Sequence, residues 1–119
     1  MIRVNIERGR DSGAIQAFKV SGHAFYGKHG HDIVCAGVSA VTVGTVNAVE
    51  KLTGVTLPSE MGDGLLQVRI PVETDKSRSE QIQLLLESMV VMIESIEEAY
   101  GKYITLATST SQEGGKPSC

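Results

Sequence analysis

Cys35 and three histidines, His23, His29 and His31, lie between positions 23 and 35 of the chain. A thiol with an imidazole in hydrogen-bond reach is a nucleophile with its own base, the pair of cysteine peptidases and acyltransferases. Asp32 stands just before an apolar run and has the chemistry of a helix N-cap, its carboxylate accepting from the first unpaired backbone N–H groups. Cys35 is then the third helical residue, where the macrodipole and those N–H groups favour a thiolate. A free cysteine also packs as a small hydrophobe, so position alone leaves both roles open. His23 sits between Gly22 and Ala24, just past an expected strand, and the loop up to Val34 lets strand end and helix start meet. His29 and His31 compete for the base role, and His31 is partly constrained by the cap. The same four side chains offer enough nitrogen and sulfur ligands for zinc. No second thiolate faces a helical Cys35, however, so the expectation is a protein that uses no metal and no cofactor.

The elements that must position these residues follow from periodicity. Ile2, Val4 and Ile6 alternate with Arg3, Asn5 and Glu7, as in a half-buried strand. Asp11-Ser12-Gly13 marks a turn, and a second strand is expected over 14–21, with Ile15, Ala17 or Phe18, and Val20 inward. The helix that begins after Asp32 runs to about Lys51 and is closed by Gly54. It carries no charge before Glu50 and is rich in Ala, Gly and Ser, which suits close packing on most sides. The segment 55–64, with Pro58 and Gly62-Asp63-Gly64, reads as turns. Leu66, Val68, Ile70 and Val72 alternate as a third strand. A capping box, Ser77-x-x-Glu80, opens a second helix, in which Ile82, Leu85, Leu86, Met89, Ile93 and Ile96 recur at helical spacing up to Ala99. A last short strand covers 103–108, and the Ser/Thr/Gly-rich residues 109–119 read as a disordered tail. The order is β-β-α-β-α-β: an α+β domain over 1–108, a small mixed sheet with both helices on one face.

Composition narrows the function classes. A chain of 119 residues buries one core, and 41% hydrophobic with 21% charged residues is ordinary globular usage. A net charge of −3, a pI near 5.6 and 4% aromatic residues without tryptophan argue against direct nucleic-acid binding. No run of eighteen apolar residues and no apolar leader is visible, so the expectation is a cytoplasmic protein without a membrane partner. Two cysteines make no disulfide scaffold. On the second helix, Glu80, Glu87 and Glu94 form an acidic stripe suited to a basic partner or simply to solvent. Leu84 and Val91 lie opposite its core stripe and suggest a homodimer.

Ser21-Gly22-His23-Ala24, then Gly30-x-Asp32-Ile33-Val34-Cys35-Ala36, then Val38-Ser39-Ala40 resembles the ribosomal-processing cysteine protease family, Prp. The resemblance covers about residues 1–108 and takes in the element order and the acidic end of the second helix, Ile96-Glu97-Glu98-x-Tyr100. It implies a cysteine endopeptidase that removes the short N-terminal extension of the large-subunit ribosomal protein numbered twenty-seven, cutting after a pair of aromatic residues. It implies Cys35 as nucleophile and His23 as base, with Gly22, Asp32 and Ser39 as supporting positions. Asp32 is a cap first and an orienting group second, and Ser39, one turn beyond Cys35, lines the substrate groove. The resemblance also points to a homodimer. Two other readings remain: a non-catalytic ribosome-biogenesis factor binding the same basic protein, and a Cys–His hydrolase of small acyl substrates.

Overall fold

A computed structural model describes residues 1–24, 27 and 32–111. β1 (Ile2–Gly9) and β2 (Ile15–Ser21) pair antiparallel, with Val4 opposite Val20 and Ile6 opposite Phe18. The register shifts between Glu7 and Arg8, so Gln16 bulges out and both Ile15 and Phe18 face inward. That bulge settles the inward position on Phe18 rather than Ala17. α1 (Ile33–Thr53) begins at Asp32 and ends at Gly54, whose φ of +78° suits glycine and whose N–H donates to the Glu50 carbonyl. Thr42 and Thr45 are buried in α1 because each hydroxyl donates to its own helix, at the carbonyls of Val38 and Val41.

β3 (Ser59–Gly62) and β4 (Leu65–Arg69) form a second hairpin, α2 (Lys76–Tyr100) follows, and β5 (Ile104–Ser111) is the last described element. The sheet order is β3-β4-β2-β1-β5, and β5 runs parallel to β1 while the other pairs are antiparallel. The inward residues of the sheet share one core with Val34, Val38 and Val49 of α1 and with Ile82, Leu86, Met89 and Ile93 of α2. The α+β architecture with both helices on one face is therefore as the sequence indicates.

Four details differ from the sequence reading. The segment 55–64 contains β3, which takes its strand state from pairing with β4. β4 stops at Arg69 because Pro71 has no N–H for the ladder, and Val72 is 88% exposed. α2 is capped by Asp75, whose carboxylate accepts from the Arg78 N–H, while Ser77 lies inside the first turn. β5 extends to Ser111, opposite Gly9 of β1, so residues 109–111 belong to the sheet. Residues 112–119, with Cys119, lie outside the described part.

The acidic stripe of α2 is partly spent within the fold. Arg8 grips Glu87 with two hydrogen bonds, 2.6 and 2.8 Å, and donates to the Gly13 carbonyl as well. That hydrogen bond, with the guanidinium charge behind it, holds the Glu87 carboxyl below its ordinary range. From the turn above it, the Gln83 amide both accepts from and donates to the backbone of Ile15, serving that residue at the bulge as a strand would.

Candidate active site

Two glycines fix where His23 stands. Gly22 ends β2 with φ +87°, and its N–H donates to the Gly64 carbonyl at 2.9 Å. A Cβ on Gly22 would collide with the carbonyl of Met1, so only glycine lets β2 end against the chain start. Gly64 (φ +67°) lies in the β3–β4 turn, and a Cβ there would lie 2.7 Å from His23 Nε2. The imidazole is thus laid over bare backbone. Asp63, beside Gly64, holds a carboxylate oxygen 3.8 Å from Nε2, with its side chain 90% exposed. At that distance the pair makes no hydrogen bond, and the exposed carboxylate is screened by solvent.

The thiol is fixed from the helix side. Asp32 Oδ1 accepts from the N–H groups of Val34 and Cys35, both at 3.0 Å, which locks the first turn and places Cys35 at its third position. The cap role expected for Asp32 is the one observed. The Cys35 side chain is half-buried, and the Ala24 N–H donates to its sulfur at 3.3 Å. The residue after His23 therefore rests directly on the nucleophile candidate.

His23, Cys35, Gly22 and Ser39 line one half-open cleft of about 200 Å³, beneath α1 and against the β3–β4 hairpin. The rest of its lining is mostly apolar, including Val20, Val38, Met61 and Leu66, with Thr42 among them. The cleft thus carries a thiol and an imidazole in its lining, together with an apolar surface that would suit a large side chain. His29 and His31, the competing bases and the remaining zinc ligands, lie outside the described residues.

Three contributors escaped the sequence reading. Met61 lines the cleft from β3, Gly64 seats the imidazole, and Ala24 contributes only its backbone. Glycines on both sides of Asp63 were the available signal for Gly64. A main-chain donor such as Ala24 leaves no signal in residue types.

The family described as Cysteine protease Prp matches residues 1–105. The ribosomal processing cysteine protease Prp of Bacillus subtilis (strain 168) is 39% identical over 111 residues, 92% of this chain and 98% of that protein. The chain is also similar to two crystal structures of the ribosomal processing protease Prp from S. aureus. The complex with a covalently linked product peptide gives a TM-score of 0.81 at 39% identity, covering 92% of this chain and 100% of that one. The complex with a substrate peptide gives 0.77 at 36% identity, with the same coverage.

Proposed function

The chain belongs to the Prp family of cysteine proteases and is a cysteine peptidase, and from that premise we propose that it is a ribosomal processing protease whose nucleophile is Cys35 and whose base is His23. Its substrate is the precursor of the large-subunit ribosomal protein numbered twenty-seven, from which it removes the short N-terminal extension after a pair of aromatic residues. The observation that carries this reading is the Ala24 N–H on Cys35 Sγ, which draws the chain at His23 onto the first turn of α1 beside an apolar cleft.

In this mechanism His23 takes the thiol proton as Sγ attacks the scissile carbonyl, and returns it to the leaving amine. Water then hydrolyses the acyl-enzyme. The N–H groups of Val34 and Cys35 are committed to Asp32, so they are poor oxyanion donors. Among the described residues, the Ala24 N–H is a candidate: it serves the sulfur at rest and can turn to the oxyanion once the sulfur is bonded to carbon. The apolar walls suit an aromatic side chain at the cut, and Ser39 lines the same groove. The enzyme works in the cytoplasm as a homodimer, without metal or cofactor.

The purely binding alternative is weaker, because Glu87, the centre of its acidic stripe, is already paired with Arg8. The test is to incubate the protein with the precursor and read both fragments by mass spectrometry. Two fragments joined at the aromatic pair are expected, with cleavage lost in step with alkylation of Cys35. A precursor that is bound but intact would promote the binding-factor reading, and cleavage that survives complete alkylation of Cys35 would refute the assigned nucleophile.

A further inference from the structure

The two edges of the sheet are finished differently. On the β5 edge, the Leu106 N–H donates to the Glu97 carboxylate at 2.7 Å, so a side chain from α2 occupies a position that an added strand would need. The opposite edge is β3, in which all four residues are exposed. The Arg69 N–H donates to the Pro58 carbonyl at 3.0 Å. Bonded and non-bonded pairs alternate along an antiparallel ladder, so Glu60 with Gln67 and Gly62 with Leu65 are the next bonded pairs. The backbone N–H and C=O groups of Ser59 and Met61 therefore point away from β4, toward an edge that no described strand pairs with.

That edge is continuous with the cleft. Met61 lies opposite Leu66, is 66% exposed, and lines the same wall as His23 and Cys35. The segment 55–64 also carries two carboxylates, Glu60 and Asp63, and no cation, and both are exposed. An occupant matching these features has main-chain groups to pair with Ser59 and Met61, an extended form, and basic side chains.

We propose that β3 is a docking strand for the substrate: an extended, basic segment of the peptide adds to its open edge through Ser59 and Met61 and passes over Met61 into the cleft. This rests on the protease reading, and deepens it by naming how the peptide is held. Affinity comes from main-chain bonds and is indifferent to most side chains, while the apolar cleft selects the residues at the cut. The shortness of β3, bounded by Pro58 and the Asp63-Gly64 turn, limits pairing to a few residues and protects the edge from aggregation.

Two measurements test this with one probe, a synthetic peptide with two adjacent phenylalanines and lysines to either side. Its backbone amides are methylated one at a time and steady-state cleavage by the wild-type protein is measured. Methylation should raise KM about tenfold at alternate positions on one side of the cut and leave the positions between them unchanged, since one hydrogen bond is worth about that factor. In parallel, the Cys35→Ala protein is mixed with the unmodified peptide and amide hydrogen exchange is followed. Slower exchange is expected at Ser59 and Met61. Cleavage with a flat methylation scan, or peptide addition without protection of β3, would overturn the docking strand while the protease reading stood. Protection of β3 that needs only higher protein concentration would assign the edge to a second copy and also overturn it. Protection by the peptide without any cleavage by the wild type would instead support the docking strand and count against the protease reading.

Discussion

A serine at position 35 keeps a hydroxyl of similar size in the same first turn of α1, so Cys35→Ser separates chemistry from packing. A hydroxyl is intrinsically a far weaker acid and nucleophile than a thiol and stays protonated beside the same Ala24 N–H. Cleavage should fall by a factor on the order of 10⁴ or more, as when one member of a cooperating pair is removed, with an unchanged thermal melt. His23→Ala should be nearly as severe, while His29→Ala and His31→Ala are milder and Cys119→Ser is silent. If His31→Ala were dead and His23→Ala active, the base would be misassigned. The two site glycines should separate by readout. Gly22→Ala drives a Cβ into the Met1 carbonyl and should lower the melting temperature by several degrees, since strain of about 1–3 kcal/mol is a large share of a small domain's stability. Gly64→Ala pushes instead on the His23 ring, so kcat should fall at least tenfold even where the fold survives. Equal losses of stability and activity in both variants would contradict this division. Cys35, His23 and Asp32 were legible because a cap, a helical third position and a histidine between Gly22 and Ala24 are local patterns. The seat on Gly64 and the donor at Ala24 were not, because each arises where distant segments touch.

Among the elements, the Arg8–Glu87 pair ties the far end of β1 to the middle of α2 and is the charge interaction whose pH dependence can be read. Glu87 is held below its ordinary value of 4.5 in the folded chain, its bond to Arg8 being the main cause. A carboxylate with a depressed folded value stabilises the fold above its unfolded value and loses that contribution as pH falls through the folded one. Denaturant titrations should find Glu87→Gln less stable than wild type by about 0.5–1 kcal/mol at pH 7, the modest figure suiting a half-exposed pair. The gap should narrow below about pH 4.5 and close in stronger acid. A gap that persisted at low pH would show that Glu87 acts through packing rather than charge. The same scale shows what periodicity can and cannot reveal. β1, α1 and the apolar stripe of α2 carry their own signal in alternating or helical spacing. β3 does not: Ser59-Glu60-Met61-Gly62 alternates nothing, and becomes a strand only because β4 lies beside it. Nor does local chemistry decide between Asp75 and Ser77, two competent caps separated by one residue; the folded chain uses Asp75, whose carboxylate accepts from the Arg78 N–H.

At the scale of the whole molecule, two helices cover a sheet on one side and nothing within the described residues covers the helices on theirs. α1 is long and apolar enough to cross a membrane by composition alone, and only 28% of its most apolar window is buried, so the close packing on most sides expected from its small residues is confined to one face. Its inner face, with Val34, Val38 and Val49, belongs to the core of this two-layer domain. Its outer side is small and nearly uncharged, and with α2 it forms a shallow apolar groove that includes Ala40, Gly44, Leu85 and Met92. Beside that groove, Leu84 is 71% exposed and Val91 60%, the two residues whose position opposite the core stripe first suggested a dimer. Isolated exposed hydrophobes need no explanation, but here they lie between the nearly uncharged outer side of α1 and the acidic stripe of Glu80, Glu87 and Glu94. A standard interface needs about 800 Å² from each partner, roughly a tenth of the 7405 Å² this chain exposes, and two helices' outer surfaces are large enough to supply it. Small residues on α1 allow a second backbone to approach closely, and a face that meets its own copy closes by a twofold axis without leaving open ends. Light scattering at micromolar concentration should therefore give twice the chain mass of 12.7 kDa. Leu84→Glu combined with Val91→Glu should give a folded monomer, because both side chains point away from the core and each new charge would face its symmetry mate across the interface. A mass of one chain for the wild type, or a double variant that stays dimeric, would show that the outer helical face is not where two copies meet.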